Sequence, residues 1–200
     1  MSSLKFRVPR RFIDASIDSL DSVQYAPVIS CAKKLTKRQK INKGILLSGP
    51  PGVGKTWAIV ALIKHAAEVH AKNGMYFDYE FITAPIMFDV LPAAAGVGGE
   101  DDPRRGQPWI TSLSLVPWLV INDLGKEYRG GLLHDQVVYK LGRILRERCE
   151  RGLITHITTN LVLKGEGSIS GVYGESITSL MSEMMKSYVV NGADRRKGGG

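Results

Sequence analysis

The chain has 200 residues, of which 44% are apolar and 23% charged, with a formal net charge of +8. One domain with a packed core fits these values, and they exclude wholesale disorder. No apolar run approaches the roughly 20 residues of a bilayer span, the N-terminus lacks the apolar stretch of a signal peptide, and two distant cysteines give neither a disulfide framework nor a zinc site, so a cytoplasmic setting is expected.

The basicity is uneven. Residues 1–43 hold ten Lys/Arg against three Asp, so most of the excess lies before the first strand signal. Such a segment attracts polyanions, nucleic acid among them.

In chain order, residues 5–25 read as an extended lead-in without a clear period. Pro27 opens a helix, with Val28, Cys31, Ala32 and Leu35 on one face and Lys33, Lys34, Lys37 and Arg38 on the other. Ile45-Leu46-Leu47 is a short buried strand. Lys55 to Lys72 is a long helix stopped by Asn73-Gly74. Met75 to Thr83 reads as a second strand, and Ala84 to Leu91 as a helix halted at Pro92. The Gly-, Pro- and charge-rich stretch that follows is a long loop running into Trp109. Trp118 to Ile121 is a third buried strand and His134 to Arg151 an amphipathic helix. Leu153 to Thr159 is a fourth strand. Ile177, Leu180, Met181, Met184, Met185 and Tyr188 form a helical stripe, Tyr188 to Val190 a last strand, and the residues from Ala193 a frayed tail. Strands alternating with helices predict a parallel α/β sheet.

One motif carries chemistry. GPPGVGKT, Gly49 to Thr56, matches G-x-x-x-x-G-K-[ST] at every fixed position, and it follows a buried strand and opens a helix. Gly49, Pro50, Pro51, Gly52, Val53 and Gly54 form a loop whose backbone N–H groups surround phosphates. Lys55 meets the β- and γ-phosphates, Thr56 ligates Mg²⁺, and the helix N-terminus adds partial positive charge; Trp57 follows directly. The expected cofactors are ATP and Mg²⁺. The acidic strand that should hold the metal is Trp118-Leu119-Val120-Ile121-Asn122-Asp123. Read literally, Asn122 takes the metal position and Asp123 the position of a water-polarising carboxylate. A shift by one residue instead makes Asp123 the metal partner, with Glu127 a distant substitute base. Asn160, ending the fourth strand, is placed to reach the γ-phosphate or the attacking water. Lys55, Asp123 and Asn160 are therefore the catalytic candidates.

These residues resemble the DnaC/IstB-type AAA+ ATPases, helicase loaders and transposition helper ATPases. The likeness runs over residues 9 to 196: Pro9-Arg10-Arg11-Phe12 with Ala15-Ser16, the P-loop, Phe81 to Pro85, LVINDLGKE, Arg148 before Gly152-Leu153, the Thr158-Thr159-Asn160 strand end, Tyr173-Gly174-Glu175 and Gly192 to Arg196. It implies a five-stranded parallel sheet of order 5-1-4-3-2 flanked by helices, with no C-terminal helical lid. The division is a basic lead-in and helix over 1–43, an ATPase core over 44–191 and a tail over 192–200. Two departures stand out: Asn122 replaces an acid, and Leu180 occupies the place of an arginine that reaches a neighbouring subunit's nucleotide. Such an arginine is worth roughly 10³–10⁵ in rate, so slow hydrolysis is expected. Arg148, Arg195 and Arg196 are the substitute candidates. The resemblance further implies homo-oligomers, as rings or filaments, acting with DNA and with a replicative helicase or a transposase; a hydrolysis-poor assembly scaffold is the other reading. Candidate nucleic-acid contacts are Lys33, Lys34, Lys37, Arg38 and Lys40, the Lys140/Arg143/Arg146 face, and Arg104 and Arg105 in the long loop.

Overall fold

The computed structural model describes residues 8–93, 107–127 and 131–195. Five parallel strands form one sheet: β1 (Gly44–Ser48), β2 (Tyr79–Thr83), β3 (Trp118–Leu124), β4 (Ile154–Thr159) and β5 (Met185–Val189), in the order β2-β3-β4-β1-β5. This is the expected 5-1-4-3-2 arrangement read from the other edge. The helices are α1 (Ala26–Thr36), α2 (Lys55–Lys72), α3 (Ala84–Ala93), α4 (Gln107–Leu115), α5 (Gly131–Glu150), α6 (Ile169–Tyr173) and α7 (Glu175–Met184).

Parallel strands are apolar on both faces because crossover helices cover both. Period-two alternation then divides one strand between two cores. In β1, Ile45 and Leu47 join α1, α2 and the lead-in on one side, while Leu46 joins α3, α5 and α7 on the other. The lead-in belongs to that first core rather than standing apart as an extended arm. It forms two short 3-10 turns, Arg10–Phe12 and Ile17–Ser19, and buries Ala15, Leu20 and Tyr25. Among the described residues no helix is long and apolar enough to cross a membrane.

Several boundaries differ from the sequence reading. Helix α3 runs through Pro92 to Ala93, since a proline in a last turn forfeits one hydrogen bond and has little helix left to break. Helix α4 takes in the end of the expected loop and the unassigned residues after it; burial of Ile110 and Leu113 outweighs the weak helix propensity of its Ser, Thr and Pro. Of the Met75–Thr83 segment only Tyr79–Thr83 pairs, with Trp118–Asn122. The helical stripe stops at Met184, and Met185 already pairs with Gly44. Helix α6 went unread.

Arg148 is wholly buried. Its Nε donates to Thr155 Oγ1 at 2.8 Å, Nη1 to the Leu113 and Val116 carbonyls at 2.8 and 2.7 Å, and Nη2 to the Ile154 carbonyl at 2.6 Å. Burial lowers its pKa to about 9. It is a clamp joining α5, the turn before β3 and the start of β4, and it cannot reach a neighbouring subunit; the trans-acting role expected of it is corrected. Arg148→Met is expected to cost about 2–4 kcal/mol in a denaturation curve, because four acceptors lose their donors.

His156, in β4, is also wholly buried, its Nδ1 accepting from the Ile45 N–H at 3.1 Å. Burial, and secondarily the Arg148 charge, push its pKa down to about 3 from 6.5. The unfolded chain therefore binds the extra proton between these values, and the neutral ring's stability, full above pH 6.5, is lost as pH falls towards 3. Between pH 7 and pH 5 folding stability is expected to drop by roughly 2 kcal/mol, and by clearly less in His156→Gln, as urea denaturation at both pH values would read.

Candidate nucleotide-binding site

The site lies at the carboxyl end of the sheet, where β1 sits beside β4 and successive crossovers part. The chain leaves β1 through Gly49–Gly54 into α2. Gly52 and Gly54 hold φ of 80° and 104°, conformations closed to most side chains. Gly54 is the N-cap of α2 and supplies no side-chain cap, so the first N–H groups of an 18-residue helix point into the cleft with their partial positive charge.

Lys55 is the best-defined element. It is 5% exposed, and its Nζ donates to the Gly49 and Pro50 carbonyls, both at 2.7 Å, and to Asn160 Oδ1 at 2.9 Å. A buried ammonium at the start of a helix entered through a glycine-rich turn is suited to a polyphosphate. Asn160 reaches that ammonium from the tip of β4, so the structure brings the P-loop and the strand-end residue together.

The acidic strand turns at a β-bulge. Ile121 pairs with Ile157, but Leu124 pairs with Thr159, so three steps on β3 match two on β4. Asp123 takes up the excess at φ 61°, which Asp tolerates better than most residues. A regular strand would send Asn122 and Asp123 to opposite faces. The bulge serves both: Asn122 faces Thr56, and Asp123 lines the cleft. Asn122 is the residue that meets the Thr56 hydroxyl. Asn122 Oδ1 accepts from Thr56 Oγ1 at 2.7 Å and from Thr158 Oγ1 at 2.8 Å, while its Nδ2 is buried without a partner. Thr158 Oγ1 in turn accepts the Asp123 N–H at 2.9 Å and fixes the bulge. Asp123 Oδ2 pairs with Lys126 at 2.8 Å.

The donor set suits a nucleotide better than its cation. Thr56 and Asp123 are in place, but the Asn122 carbonyl is already committed to two hydroxyls and brings no charge. Glu127 is no substitute base: it is buried, accepting from the Gly125 N–H at 2.8 Å and from the Tyr173 hydroxyl.

A cleft of about 580 Å³ contains Pro51, Gly52, Gly54, Lys55, Thr56, Trp57, Asp123 and Asn160, and Arg11, Phe12, Ser19, Lys126 and Arg195 complete it. Of the last five, only Arg195 is a sequence-predicted site residue, and it lines the cleft of its own chain; Arg11, Phe12, Ser19 and Lys126 are additions of the structure. Arg11-Phe12 belongs to the entry motif of the resemblance, and Trp57 joins that segment to the cleft, its Nε1 donating to Ser19 Oγ at 2.9 Å while Phe12 packs edge-on against its ring.

The remaining candidates are scattered. Lys33, Lys34, Lys37, Arg38 and Lys40 are exposed, and Arg38 donates to Asn73 Oδ1. Arg143 and Arg146 are exposed on α5, but Lys140 is buried and its pKa is lowered by burial, so it is not a surface cation; that expectation is corrected. Leu180 is half-buried against the core. Arg104, Arg105 and Arg196 lie outside the described residues.

No family model matches the chain. Among solved structures it is similar to the DnaC helicase loader (24% identity over 92% of this chain and 100% of that one, TM-score 0.70). It is similar also to DnaI (20% identity, 95% of each chain, TM-score 0.68). A replication initiator DnaA bound to AMPPCP and single-stranded DNA matches at 12% identity, over 90% of this chain and 50% of that one, with TM-score 0.65. The chain has the fold of the DnaC- and DnaI-type AAA+ P-loop proteins, and the candidate site stands at that fold's P-loop.

Proposed function

We propose that the protein binds ATP at the P-loop and acts as a nucleotide-gated factor that helps load a replicative helicase onto DNA, hydrolysing ATP slowly. The observation that carries the nucleotide reading is the buried Lys55 ammonium, held by the Gly49 and Pro50 carbonyls and by Asn160. Lys55 neutralises the β/γ end, the α2 amides hold the phosphate chain, and Asn160 orients what approaches the γ-phosphate. Bound Mg²⁺ would supply Lewis-acid charge at those phosphates, with Thr56 as its protein ligand and Asn122 as the uncharged residue at its outer position. Slow hydrolysis rests on Asn122, which offers no charge, and on Leu180 at the arginine position.

Loading is supported by the fold shared with DnaC and DnaI along nearly the whole chain. DNA contact is supported by charge. Lys34 and Lys40 line one cleft with Lys43 and Lys186, at the open edge of β5, a convergence that sequence spacing could not display. Oligomerisation on DNA or helicase belongs to the same proposal. The test is a loading assay: a hexameric replicative helicase, single-stranded DNA coated with its binding protein, ATP, and this chain or Lys55→Ala. ATP-dependent unwinding only with the intact chain is expected; equal unwinding without it would reject the loader reading. Binding of the same DNA should fall steeply between 50 and 200 mM salt, as phosphate contacts require.

A further inference from the structure

The turn that leaves β3 is held along its backbone, while one of its side chains stands in the cleft. Asp123 at φ 61° and Gly125 at φ 98° curl the chain back on itself, and the Lys126 N–H returns to the Asp123 carbonyl at 3.2 Å. Strand β4 pins the curl from one side: Thr158 Oγ1 accepts the Asp123 N–H at 2.9 Å, and Thr159 Oγ1 donates to the Leu124 carbonyl at 2.6 Å. Glu127 pins it from the other, with Oε2 accepting the Gly125 N–H at 2.8 Å and Oε1 accepting from the Tyr173 hydroxyl. Between buried Leu124 and buried Glu127, Lys126 is exposed, and it lines the cleft with Lys55, Thr56, Asp123 and Asn160.

The Lys126 ammonium turns back over this curl to Asp123 Oδ2, at 2.8 Å. That carboxylate is the candidate for polarising the attacking water, and the ion pair takes up one of its oxygens and offsets its charge. A partly exposed pair three residues apart adds little to folding. It can also be exchanged without disturbing the turn, whose hydrogen bonds use neither charged group. Lysine suits exchange, being a point charge on a flexible stem with three rotatable donors. A terminal phosphate is the stronger partner, since it carries more charge than a carboxylate and presents three acceptor oxygens. A diphosphate ends one group short of it.

We infer that Lys126 is the residue that tells ATP from ADP: a γ-phosphate takes the ammonium from Asp123, and the carboxylate is released to water only when a triphosphate is bound. This rests on the nucleotide reading of the P-loop and adds a regulatory meaning to it. Lys55, fixed by the loop carbonyls, responds to a polyphosphate of either length, whereas Lys126 responds to its last group. No covalent bond changes in this step; one ion pair replaces another.

The experiment is a pair of titrations, fluorescent mant-AMPPNP and mant-ADP, into the full chain without Mg²⁺. The wild-type chain should bind the triphosphate more tightly. Lys126→Met is expected to weaken mant-AMPPNP roughly 3- to 10-fold, the modest scale of a partly exposed charge contact, with mant-ADP within about twofold of wild type. Its ligand-free thermal midpoint should stay within a few degrees of wild type. Lys126→Arg keeps the charge and should keep the preference. Asp123→Asn should tighten mant-AMPPNP, and by at least about twofold more in the chain that keeps Lys126 than in Lys126→Met, where there is no ammonium to release. Unchanged mant-AMPPNP affinity in Lys126→Met, an equal loss for both nucleotides, or equal tightening by Asp123→Asn in both backgrounds would overturn the inference while leaving the P-loop reading intact. Absence of binding of either nucleotide by the wild-type chain would overturn both.

Discussion

Replacing Lys55 with alanine is expected to weaken nucleotide binding by at least about 100-fold, the scale of removing one partner from a buried, hydrogen-bonded charge pair. The structure says why the loss should be so selective. The ammonium is 5% exposed and, among the described residues, donates to two carbonyls of the loop that it completes and to Asn160. None of these holds the sheet together: β1 is fixed by its pairing to β4 and β5, and α2 by the apolar residues from Ala58 to Ala67. The variant should therefore unfold within a few degrees of wild type while failing to bind a labelled ATP analogue. Retention of wild-type affinity would place the ligand elsewhere.

The second large effect is a gain. Asn122→Asp is isosteric, and its carboxylate can keep both hydrogen bonds that Thr56 and Thr158 now give to Oδ1. The buried Nδ2, which has no partner among the described residues, becomes an acceptor oxygen. A negative charge enters where the cation's outer partner belongs, so the Mg²⁺ concentration for half-maximal effect should fall and Mg²⁺-stimulated phosphate release should rise by about tenfold or more. Phosphate release measured across a Mg²⁺ series would show this. Unchanged turnover at every Mg²⁺ concentration would mean that the missing carboxylate is not what limits the enzyme.

The P-loop and its flanking strand and helix were readable because the chemistry fixes both residue types and spacing. Sheet order followed from resemblance, and no local pattern encodes it. The bulge at Asn122–Asp123 was not legible: a left-handed Asp is a backbone state, and the residue type only permits it. Arg148 and Lys140 had a visible signal that was misread. Each falls on the same helical stripe as Val137, Leu141 and Ile144, and helix periodicity buries that stripe whatever the charge, whereas Arg143 and Arg146 fall off it and are exposed. The path of residues 191–195 over the P-loop, where a frayed tail was expected from Ala193, was hidden for another reason. Its partners, Gln24 and Gly52, lie far away in sequence, and a Gly- and charge-rich ending has the composition of a frayed terminus.

The charge excess of the lead-in also takes on structure. Residues 10–25 are built into the core and the nucleotide cleft through Phe12, Ser19 and Tyr25, while the lysines of 33–43 remain on the surface, three of the four at the β5 edge cleft lying in or beside that run. One segment thus lines the candidate nucleotide cleft and presents the cations, placing both on a single stretch of chain.

Holding ATP without turning it over rapidly is the behaviour proposed for this P-loop. Its most direct test is to follow bound and released products of radiolabelled ATP mixed with the purified chain and Mg²⁺, with no partner present. Saturable, Lys55-dependent ATP binding with turnover below about one per minute is the result predicted here, far under the range of typical enzymes. Several ATP hydrolysed per second by the chain alone would contradict it.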